Sequence, residues 1–338
     1  MVRVGINGLG RIGRAFFKQA ILEDDVEIVA VNDLGNLENL AYLLRYDTAY
    51  GRSGLFIEVD KTKSMLKVNG NDIRVFSEKD PAKIPWKDLQ VDVVVESTGV
   101  FETYEKAKAH LTGGAKRVVI TAPAKDETGG ATVLMGVNED ALKKVKVSSN
   151  ASCTTNAASP LLSILHEKLG VKRALLNTVH AYTATQAIVD GPDKANDFRR
   201  GRAGAANIAP SSTGAAVATT KAITDLEGSF DGIAVRVPVI TGSIVDITFV
   251  AKRETTAKEV NEILTAAARE PRWNGIFAVT TEPLVSSDII GDTHASIADL
   301  SMTRVIGDLV KVLGWYDNEA GYANTLLRHV KLAASNVQ

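Results

Sequence analysis

The chain has one cysteine, Cys153, and its neighbours suggest how it could react. It lies in the polar, small-residue segment 148–156, which leads into a predicted helix. The dipole of a helix N-terminus lowers the pKa of a thiol, and the thiolate is the nucleophilic form. A free cysteine is also commonly an inert, buried core residue. Both interpretations stay open from the residues alone.

A thiol nucleophile needs a base, and the chain offers five histidines: His110, His166, His180, His294 and His329. His180 ends a predicted strand immediately before a long loop, where catalytic groups tend to lie. His166 follows Cys153 on the same predicted helix, several turns further on. Spacing favours His180, while a structural or surface role stays open for each histidine.

The segment Gly8-Leu9-Gly10-Arg11-Ile12-Gly13 matches the G-x-G-x-x-G pattern between a predicted strand and a predicted helix. The first glycine allows the tight turn, the second admits a pyrophosphate and the third lets helix and strand pack closely. Asp33 follows at the end of the second predicted strand, where a carboxylate binds the ribose of NAD and repels a 2′-phosphate. The sequence therefore predicts NAD as cofactor, against the alternative of an ordinary glycine-rich turn with a solvated aspartate.

Further along the chain are residues suited to binding phosphate. Arg199, Arg200 and Arg202 are clustered, and Ser211-Ser212-Thr213-Gly214 opens a predicted helix. Arginine side chains and helix N-termini both bind phosphate oxygens. The arginines could instead form a solvated surface, and Thr213 could be only a helix cap. Arg236 lies between apolar neighbours and needs a partner if it is buried.

The elements that would position these residues change character near residue 150. Before it, predicted strands at 2–7, 27–32, 91–97 and 117–122 alternate with helices such as 11–22, and Asn69-Gly70 marks a hairpin turn. Such alternation predicts a doubly wound parallel sheet of the Rossmann type.

Beyond residue 150 the strands are longer and closer together. Strands are predicted at 173–182, 230–238 and 243–253, and helices at 158–169, 214–225, 257–269 and 318–334. This pattern predicts an α+β domain with a mostly antiparallel or mixed sheet, so the whole chain is of the α/β class. The segment 183–210 has little periodicity, which is unusual in a compact domain and typical of functional loops.

Composition excludes several classes of protein. The 338 residues are 45% hydrophobic and 23% charged, and the net charge is −1. These values are typical of a globular chain of about two domains, and they lack the basic excess of a general nucleic-acid binder. No apolar run reaches the ~18 residues of a membrane helix, and one cysteine makes no internal disulfide or cysteine-rich metal site. We expect a cytoplasmic protein without a metal.

Three segments together resemble phosphorylating glyceraldehyde-3-phosphate dehydrogenase, and the resemblance runs nearly end to end. They are Val4-Gly5-Ile6-Asn7-Gly8-Leu9-Gly10-Arg11-Ile12-Gly13-Arg14, Ser152-Cys153-Thr154-Thr155-Asn156 and Trp315-Tyr316-Asp317-Asn318-Glu319. The resemblance implies an NAD-binding domain at 1–151, a catalytic domain at 152–316 and a C-terminal helix, 317–338, that returns to the NAD-binding domain. It also implies a homotetramer in which the loop 183–210 lies near the cofactor of a neighbouring subunit.

The resemblance also assigns roles residue by residue. It implies that Cys153 is the nucleophile, His180 its base and Asn318 the residue that holds the nicotinamide carboxamide. The implied cofactor-binding residues are Gly8, Gly10, Arg11, Ile12, Gly13, Asp33, Ser97, Thr98, Gly99, Thr121 and Asn318. The implied residues for substrate and inorganic phosphate are Ser152, Thr154, Thr183, Arg200, Thr213, Gly214 and Arg236.

The implied reaction is NAD- and phosphate-dependent oxidation of glyceraldehyde 3-phosphate through a cysteine thiohemiacetal and a thioester. Two alternatives remain from the sequence: an erythrose-4-phosphate dehydrogenase of the same family, and a non-enzymatic NAD-binding sensor on the same fold. The intact turn at Ser212-Thr213-Gly214 favours use of inorganic phosphate over the first alternative. The presence of both Cys153 and His180 disfavours the second.

Overall fold

The computed structural model describes residues 1–192 and 197–337, and contacts divide this chain into two compact units. The first unit comprises Met1–Ala151 together with the chain from Ala323 onward. The second comprises Ser152–Tyr322, so the residues that follow Tyr316 are grouped with it as far as Tyr322. Across the described residues, no helix is both long and apolar enough to cross a membrane.

The first unit is built on a sheet that is parallel through most of its width. Its strands are β1 (Val2–Asn7), β2 (Val26–Asn32), β3 (Tyr46–Asp47), β4 (Gly51–Arg52), β5 (Ile57–Asp60), β6 (Met65–Val68), β7 (Asn71–Phe76), β8 (Val93–Glu96), β9 (Arg117–Ile120), β10 (Ala131–Thr132) and β11 (Val147–Ser149). The strand order is β10-β11-β9-β8-β1-β2-β7-β6-β5, with β5 and β6 antiparallel to their neighbours and β3 pairing only with β4. The helices up to this point are α1 (Arg11–Ala20), α2 (Leu37–Arg45), α3 (Tyr104–Ala107) and α4 (Ala109–Thr112).

Local sequence explains these elements. The central strands are nearly continuous runs of buried valine and isoleucine, as expected where both faces of a sheet are covered. Helix α1 buries Phe16, Phe17 and Ala20. Asn69 and Gly70 both have positive φ, 51° and 89°, which is the geometry of a two-residue turn between antiparallel β6 and β7. The predicted Rossmann-type sheet is confirmed.

The second unit is built on a mixed sheet. Its strands are β12 (Val171–Ala181), β13 (Ala209–Ser212), β14 (Phe230–Val237), β15 (Ser243–Ala251), β16 (Phe277–Thr280), β17 (Ser296–Asp299), β18 (Arg304–Ile306) and β19 (Leu309–Tyr316). The order is β13-β14-β12-β15-β19-β17-β16, with β18 beside β19, and only the pairs β12–β14 and β16–β17 are parallel. The helices are α5 (Cys153–Leu169), α6 (Ala215–Thr220) and α7 (Ala257–Ala267), and α8 (Ala320–Ser335) ends the chain. The predicted mixed sheet is confirmed.

One face of this sheet is covered by helix and the other carries exposed apolar side chains. Helix α5 packs against β12, β15, β17 and β19. On β15 every second residue from Ser243 to Ala251 is buried, which is the period-two pattern of a strand with two unlike faces. On the other face Leu175, Ile233 and Leu309 are 66%, 54% and 43% exposed.

Several element boundaries differ from the predicted ones. Helix α5 begins at Cys153 rather than near residue 158. Helix α6 ends at Thr220 rather than near 225, because the hydroxyls of Thr219 and Thr220 donate to the carbonyls of Ala215 and Val217 and so compete with the backbone. In the predicted loop 183–210, the described parts 183–192 and 197–208 contain no helix or strand, and residues 193–196 lie outside the described residues.

Candidate active site

Cys153 is the first residue of α5, and the backbone immediately before it is strained. Ala151 has a φ of 54°, in the left-handed region that residues with a side chain seldom adopt. Ser152 caps the helix, since its side chain accepts a hydrogen bond from the Thr155 N–H at 3.1 Å. The half-buried thiol of Cys153 is therefore fixed at the N-terminus of a seventeen-residue helix.

The structure places this thiol against His180, near the end of β12. The Sγ atom of Cys153 lies 3.3 Å from Nε2 of His180. The other four histidines lie elsewhere: His110 and His329 are buried in the first unit, and His166 and His294 bond within their own segments. The geometry thus selects one of the five histidines that the sequence left open.

The His180 ring is held on three sides. Its Nδ1 atom lies 2.7 Å from the carbonyl oxygen of Ala181 and 2.6 Å from Nη1 of Arg236. Its plane meets the Tyr316 ring edge to face, with centroids 5.9 Å apart. Burial first, and the charge of Arg236 second, lower the pKa of His180 to about 3. The imidazole is therefore neutral at physiological pH, the form that a general base requires.

The thiol differs from the sequence-based expectation. Burial raises the pKa of the Cys153 thiol, while the charge of Arg236 and the hydrogen bonds at Thr154 act in the opposite direction. The expectation of a lowered pKa is wrong for the structure, because desolvation by burial outweighs the charge of Arg236 and the hydrogen bonds at Thr154. Thiolate formation then depends on transfer of the proton to a neighbouring base.

Tyr316 links α5, which carries Cys153, to β12, which carries His180. It was not among the predicted site residues. Its hydroxyl lies 3.0 Å from that of Thr154 on α5 and 2.8 Å from that of Thr178 on β12. Burial raises the pKa of Tyr316, so the phenol stays neutral. The only sequence signal for it was its place in the Trp315–Glu319 motif.

Arg236 is brought to His180 by strand pairing. In the parallel pair β12–β14, His180 lies directly opposite Arg236. Besides the imidazole contact, Nη1 of Arg236 donates to the carbonyl of Ala181 at 3.2 Å. The positive charge of Arg200 also acts on Arg236. Two predicted anion-site arginines are therefore electrostatically coupled near the thiol.

The remaining predicted anion-site residues make mostly local bonds. Arg200 pairs with Asp197 at 3.1 Å, and the hydroxyl of Thr183 lies 2.9 Å from that of Thr185. Thr213 accepts the Ala215 N–H at 3.2 Å, and Gly214 directly precedes α6. The hydroxyls of Ser152 and Thr154 contact Thr155 and Tyr316.

Asn318 is a buried residue of the second unit. Its Oδ1 atom accepts hydrogen bonds from the hydroxyls of Thr241 and Ser243, at 3.2 and 2.9 Å. These bonds fix the orientation of the amide.

In the first unit, the glycine-rich turn shows the division of roles predicted for a pyrophosphate site. Gly8 has a φ of +96°. A Cβ on Gly13 would lie 2.0 Å from the Gly8 carbonyl oxygen, so the helix and the turn touch there. A Cβ on Gly10, by contrast, would meet nothing within 4 Å. Gly10 precedes α1 without a side-chain cap, which leaves an open approach to a helix N-terminus and fits the pyrophosphate of NAD.

Asp33 and the residues after β8 surround the same turn. The Asp33 carboxylate accepts the N–H groups of Leu9 and Gly35, each at 2.7 Å. The Ser97 hydroxyl donates to the Gly8 carbonyl at 2.6 Å. The other predicted cofactor-binding residues are Arg11 and Ile12, the first two residues of α1, Thr98 and Gly99, which follow β8, and Thr121, which follows β9.

A buried carboxylate beneath this turn was missed by the sequence analysis. Glu96 ends β8 beside Asn7 of β1, and it accepts bonds from the Asn7 amide at 2.6 Å and the Thr98 N–H at 2.8 Å. His110 Nε2 lies 2.8 Å away, while its Nδ1 accepts the indole N–H of Trp86 at 3.1 Å. Only the strand order, which the sequence did not give, could have indicated this cluster.

Metal binding has no support in the described part of the chain, where no group of three or more histidine, cysteine, aspartate or glutamate side chains could hold an ion.

Two family models and several curated proteins match this chain. The family model described as the glyceraldehyde 3-phosphate dehydrogenase NAD binding domain matches residues 2–104, and that of the C-terminal domain matches residues 152–318. The chain is 50% identical over 331 residues to glyceraldehyde-3-phosphate dehydrogenase 2 of Streptomyces avermitilis, covering 96% of both chains. It is 48% identical to glyceraldehyde-3-phosphate dehydrogenase 1 of Bacillus cereus, covering 99% of this chain and 98% of that one. It is also 48% identical to glyceraldehyde-3-phosphate dehydrogenase of Geobacillus stearothermophilus, covering 98% of this chain and 97% of that one.

Proposed function

Because the chain belongs to the glyceraldehyde 3-phosphate dehydrogenase family and has its NAD-binding domain, we propose that it oxidises D-glyceraldehyde 3-phosphate to 1,3-bisphosphoglycerate with NAD and inorganic phosphate, in glycolysis or gluconeogenesis. The observation that carries this proposal is the 3.3 Å contact between the Cys153 thiol and the His180 imidazole. At this separation the imidazole can take the proton of the thiol, which activates sulfur as the nucleophile that forms a thioester.

In the proposed mechanism His180 takes the thiol proton as Sγ of Cys153 bonds to the aldehyde carbon. The protonated imidazole then returns the proton to the oxyanion, which gives a thiohemiacetal. N–H groups at the start of α5 stabilise the negative oxygen during this step. Bound NAD supplies the hydride acceptor.

In the second half of the reaction His180 takes the hydroxyl proton as the hydride leaves carbon, and a thioester results. Phosphate oxygen then attacks the thioester carbon. The carbon–sulfur bond breaks, the proton of the attacking hydrogen phosphate passes to water and the acyl phosphate departs. His180 then returns the proton it took from the hydroxyl to the thiolate of Cys153. The thioester retains the free energy of oxidation that direct hydrolysis would release as heat.

The remaining residues have proposed binding roles. The glycine-rich turn, the start of α1 and Asp33 hold the pyrophosphate and ribose of NAD, with Ser97, Thr98, Gly99 and Thr121 beside them, and Asn318 holds the nicotinamide carboxamide. The substrate phosphate and the attacking phosphate are bound by Ser152, Thr154, Thr183, Arg200, Thr213, Gly214 and Arg236.

We also propose that copies of the chain associate, as a homotetramer, through the sheet face that bears Leu175, Ile233 and Leu309. These three exposed apolar side chains lie on one face of the sheet, on β12, on its neighbour β14 and on β19, which is separated from β12 by β15. Exposed apolar side chains on one face are typical of interfaces between subunits.

The direct test is NADH formation from glyceraldehyde 3-phosphate and NAD, with and without inorganic phosphate, before and after thiol alkylation. We expect turnover that requires phosphate and stops on alkylation, which modifies Cys153 because the chain has no other thiol. Cys153→Ser is the matched variant, and we expect it to bind NAD but lose turnover by on the order of a thousandfold or more.

Three outcomes would contradict the proposal. Turnover that does not need phosphate would indicate a hydrolysing enzyme. A higher kcat/KM for erythrose 4-phosphate would favour the four-carbon substrate. NAD binding without oxidation of either aldehyde would indicate a sensor.

A further inference from the structure

We propose that Glu96 supplies a buried negative charge through which the chain binds NAD, whose nicotinamide ring is positively charged, more tightly than NADH. Glu96 is then a specificity-determining residue that discriminates between the two redox states of the cofactor. The inference rests on NAD binding and on the proposed position of the cofactor, and not on the chemistry proposed for Cys153 and His180.

The hydrogen bonds around Glu96 are those of an ionised carboxylate. Glu96 is 2% exposed. Its Oε1 atom accepts the backbone N–H and the hydroxyl of Thr98, at 2.8 and 2.5 Å. Its Oε2 atom accepts the side-chain amide of Asn7 at 2.6 Å and lies 2.8 Å from Nε2 of His110. Four donors on two oxygens stabilise the charged form of a carboxyl group.

The role of His110 follows from its other ring nitrogen. The indole N–H of Trp86 can only donate, and it points at Nδ1 of His110 across 3.1 Å. Nδ1 therefore presents its lone pair, and the proton of the ring is on Nε2, facing Glu96. With one proton on the ring, His110 is a neutral donor and adds no positive charge.

The orientation of Asn7 is fixed by a backbone further away. The N–H of Glu78 donates to the side-chain oxygen of Asn32 at 2.8 Å, and its carbonyl accepts from the side-chain nitrogen at 2.9 Å. The same nitrogen donates to the Asn7 oxygen at 2.7 Å. The Asn7 nitrogen must then face Glu96, so Asn7 too is a donor to the carboxylate.

This charge has no cationic partner within the part of the chain that the structure describes. The ionisable side chain paired with Glu96 is His110, whose ring is neutral in this arrangement. Buried carboxylates are ordinarily paired with a cation or a metal, because removing a charge from water is costly. A positively charged ligand would supply the missing partner.

The sheet topology brings the nicotinamide half of NAD to the end of β8. The strand order β9-β8-β1-β2 places the switch point between β1 and β8. A dinucleotide binds there, across the carboxyl ends of the strands, with one nucleotide over each half of the sheet. Asp33, directly after β2, is proposed to hold the ribose of the adenosine half, so the nicotinamide half lies over β8 and β9. Glu96 is the last residue of β8, and its carbonyl accepts the N–H of Thr121 after β9 at 3.0 Å.

The consequence is a difference between the two redox states at the same site. NAD and NADH share the adenosine and the pyrophosphate, so the charge of Glu96 acts equally on those parts of both. The nicotinamide ring is positive in NAD and neutral in NADH, so only NAD gains the attraction. The chain then retains the oxidised cofactor and releases the reduced one more readily.

Binding measurements on the full chain freed of nucleotide test this directly. Isothermal titration calorimetry gives Kd for NAD, NADH and ADP-ribose, which lacks the ring. Glu96→Gln removes the charge at nearly constant shape, because its nitrogen can donate to the Thr98 hydroxyl while its oxygen accepts from Asn7 and His110. We expect the ratio of Kd for NADH over Kd for NAD to fall by about fivefold or more, which corresponds to ~1 kcal/mol.

Glu96→Asp is the matched control, because it keeps the charge and shortens the side chain by one methylene. We expect it to weaken the binding of all three ligands and to leave the ratio of NADH to NAD as in the wild type. A residue that only supports the turn would change the three affinities by the same factor in both variants, and ADP-ribose reports that factor.

A comparison on the wild-type protein needs no variant and stands if Glu96→Gln fails to fold. In benzamide adenine dinucleotide a neutral benzamide ring of the same planar shape replaces the nicotinamide. We expect NAD to bind about fivefold more tightly than this analogue or better. Equal or weaker binding of NAD would overturn the inference.

The outcomes with the variants separate this inference from the function proposed above. An unchanged ratio in Glu96→Gln, or an equal fall in Glu96→Asp, would overturn the inference alone. A wild-type protein that binds none of the nucleotides would contradict the proposed function as well. Turnover of glyceraldehyde 3-phosphate, measured in parallel, reports that function whatever the ratio of affinities.

Discussion

At the scale of single residues, Asp33 has a structural role, and we propose that it also selects the cofactor. Its carboxylate accepts two backbone N–H groups, from Leu9 and Gly35, and so places a fixed negative charge beside the glycine-rich turn. In the proposed binding mode, this charge repels the 2′-phosphate of NADP.

We therefore expect Asp33→Ala and Asp33→Asn to lower the ratio of kcat/KM for NAD over NADP by about tenfold or more, which corresponds to ~1.4 kcal/mol. Asp33→Asn is the matched control for the backbone bonds, because its amide oxygen still accepts one N–H. Steady-state kinetics with both cofactors measures the effect. An unchanged ratio in both variants would place the selectivity elsewhere, with the loop 183–210 as the next candidate.

At the scale of elements, two glycines at the start of α1 have unlike surroundings: Gly10 directly precedes the helix and Gly13 lies in its first turn. Gly13→Ala would force a methyl group to 2.0 Å from the Gly8 carbonyl oxygen, so α1 must move away from the turn. We expect a lower melting temperature as well as weaker NAD binding. Gly10→Ala places its methyl group in open space, at a φ of −66° that alanine adopts readily.

For Gly10→Ala we expect an unchanged melting temperature and NAD binding weakened by about tenfold or more, because the methyl group occupies the approach of the pyrophosphate. Thermal unfolding and NAD titration by fluorescence measure the two effects. Normal NAD binding in Gly10→Ala would show that the cofactor does not approach the start of α1.

Helix α8 is attached within the first unit by a buried histidine, and this gives the fold a pH dependence. His329 lies between the Ser148 hydroxyl, 2.8 Å from Nε2, and the Asn150 side-chain oxygen, 3.1 Å from Nδ1. Burial lowers its pKa from 6.5 to about 3. Between these two values the unfolded chain binds a proton that the folded chain does not, so stability is present above pH 6.5 and is lost as the pH falls below it.

As the pH is lowered from 6 to 4, we expect the free energy of unfolding to fall less steeply in His329→Gln than in the wild type. The two slopes should differ by up to about 1.4 kcal/mol per pH unit. Glutamine can bond to the same two partners but takes up no proton. Urea unfolding at a series of pH values gives both slopes, and the contributions of other groups, including His180, cancel in the difference. Equal slopes would mean that His329 is already protonated in the folded protein.

At the scale of the whole molecule, what the sequence could predict was local. The strand, glycine-rich turn and helix around Gly10 are one continuous segment, so residue types and spacing were sufficient to predict them. The site of Cys153 depends on pairs that are distant in the chain. His180 and Arg236 are 56 residues apart, and Thr154 and Tyr316 are 162 apart. They meet only because β14 lies beside β12 and because α5 packs on the same sheet as β19, and the sequence determines neither strand order nor helix placement by itself.

The uncovered face of the second sheet makes a prediction about assembly. Leu175 is 66% exposed on β12, and Ile233, two residues further along the neighbouring strand β14, is 54% exposed on the same face. A charge at this position would have to be desolvated in an interface, which is costly, whereas on a free surface it would remain hydrated. We expect Leu175→Glu to sediment as a smaller species than the wild type while keeping its circular dichroism spectrum.

The matched control for this change is Leu22→Glu. Leu22 is 70% exposed and follows α1 in the first unit, away from any strand, so the same change in charge and size there should leave the sedimentation coefficient unaltered. Analytical ultracentrifugation over a range of protein concentrations makes the comparison. A wild-type protein that sediments as a single chain, or a Leu175→Glu variant that sediments as the wild type does, would show that this face is not where copies of the chain meet.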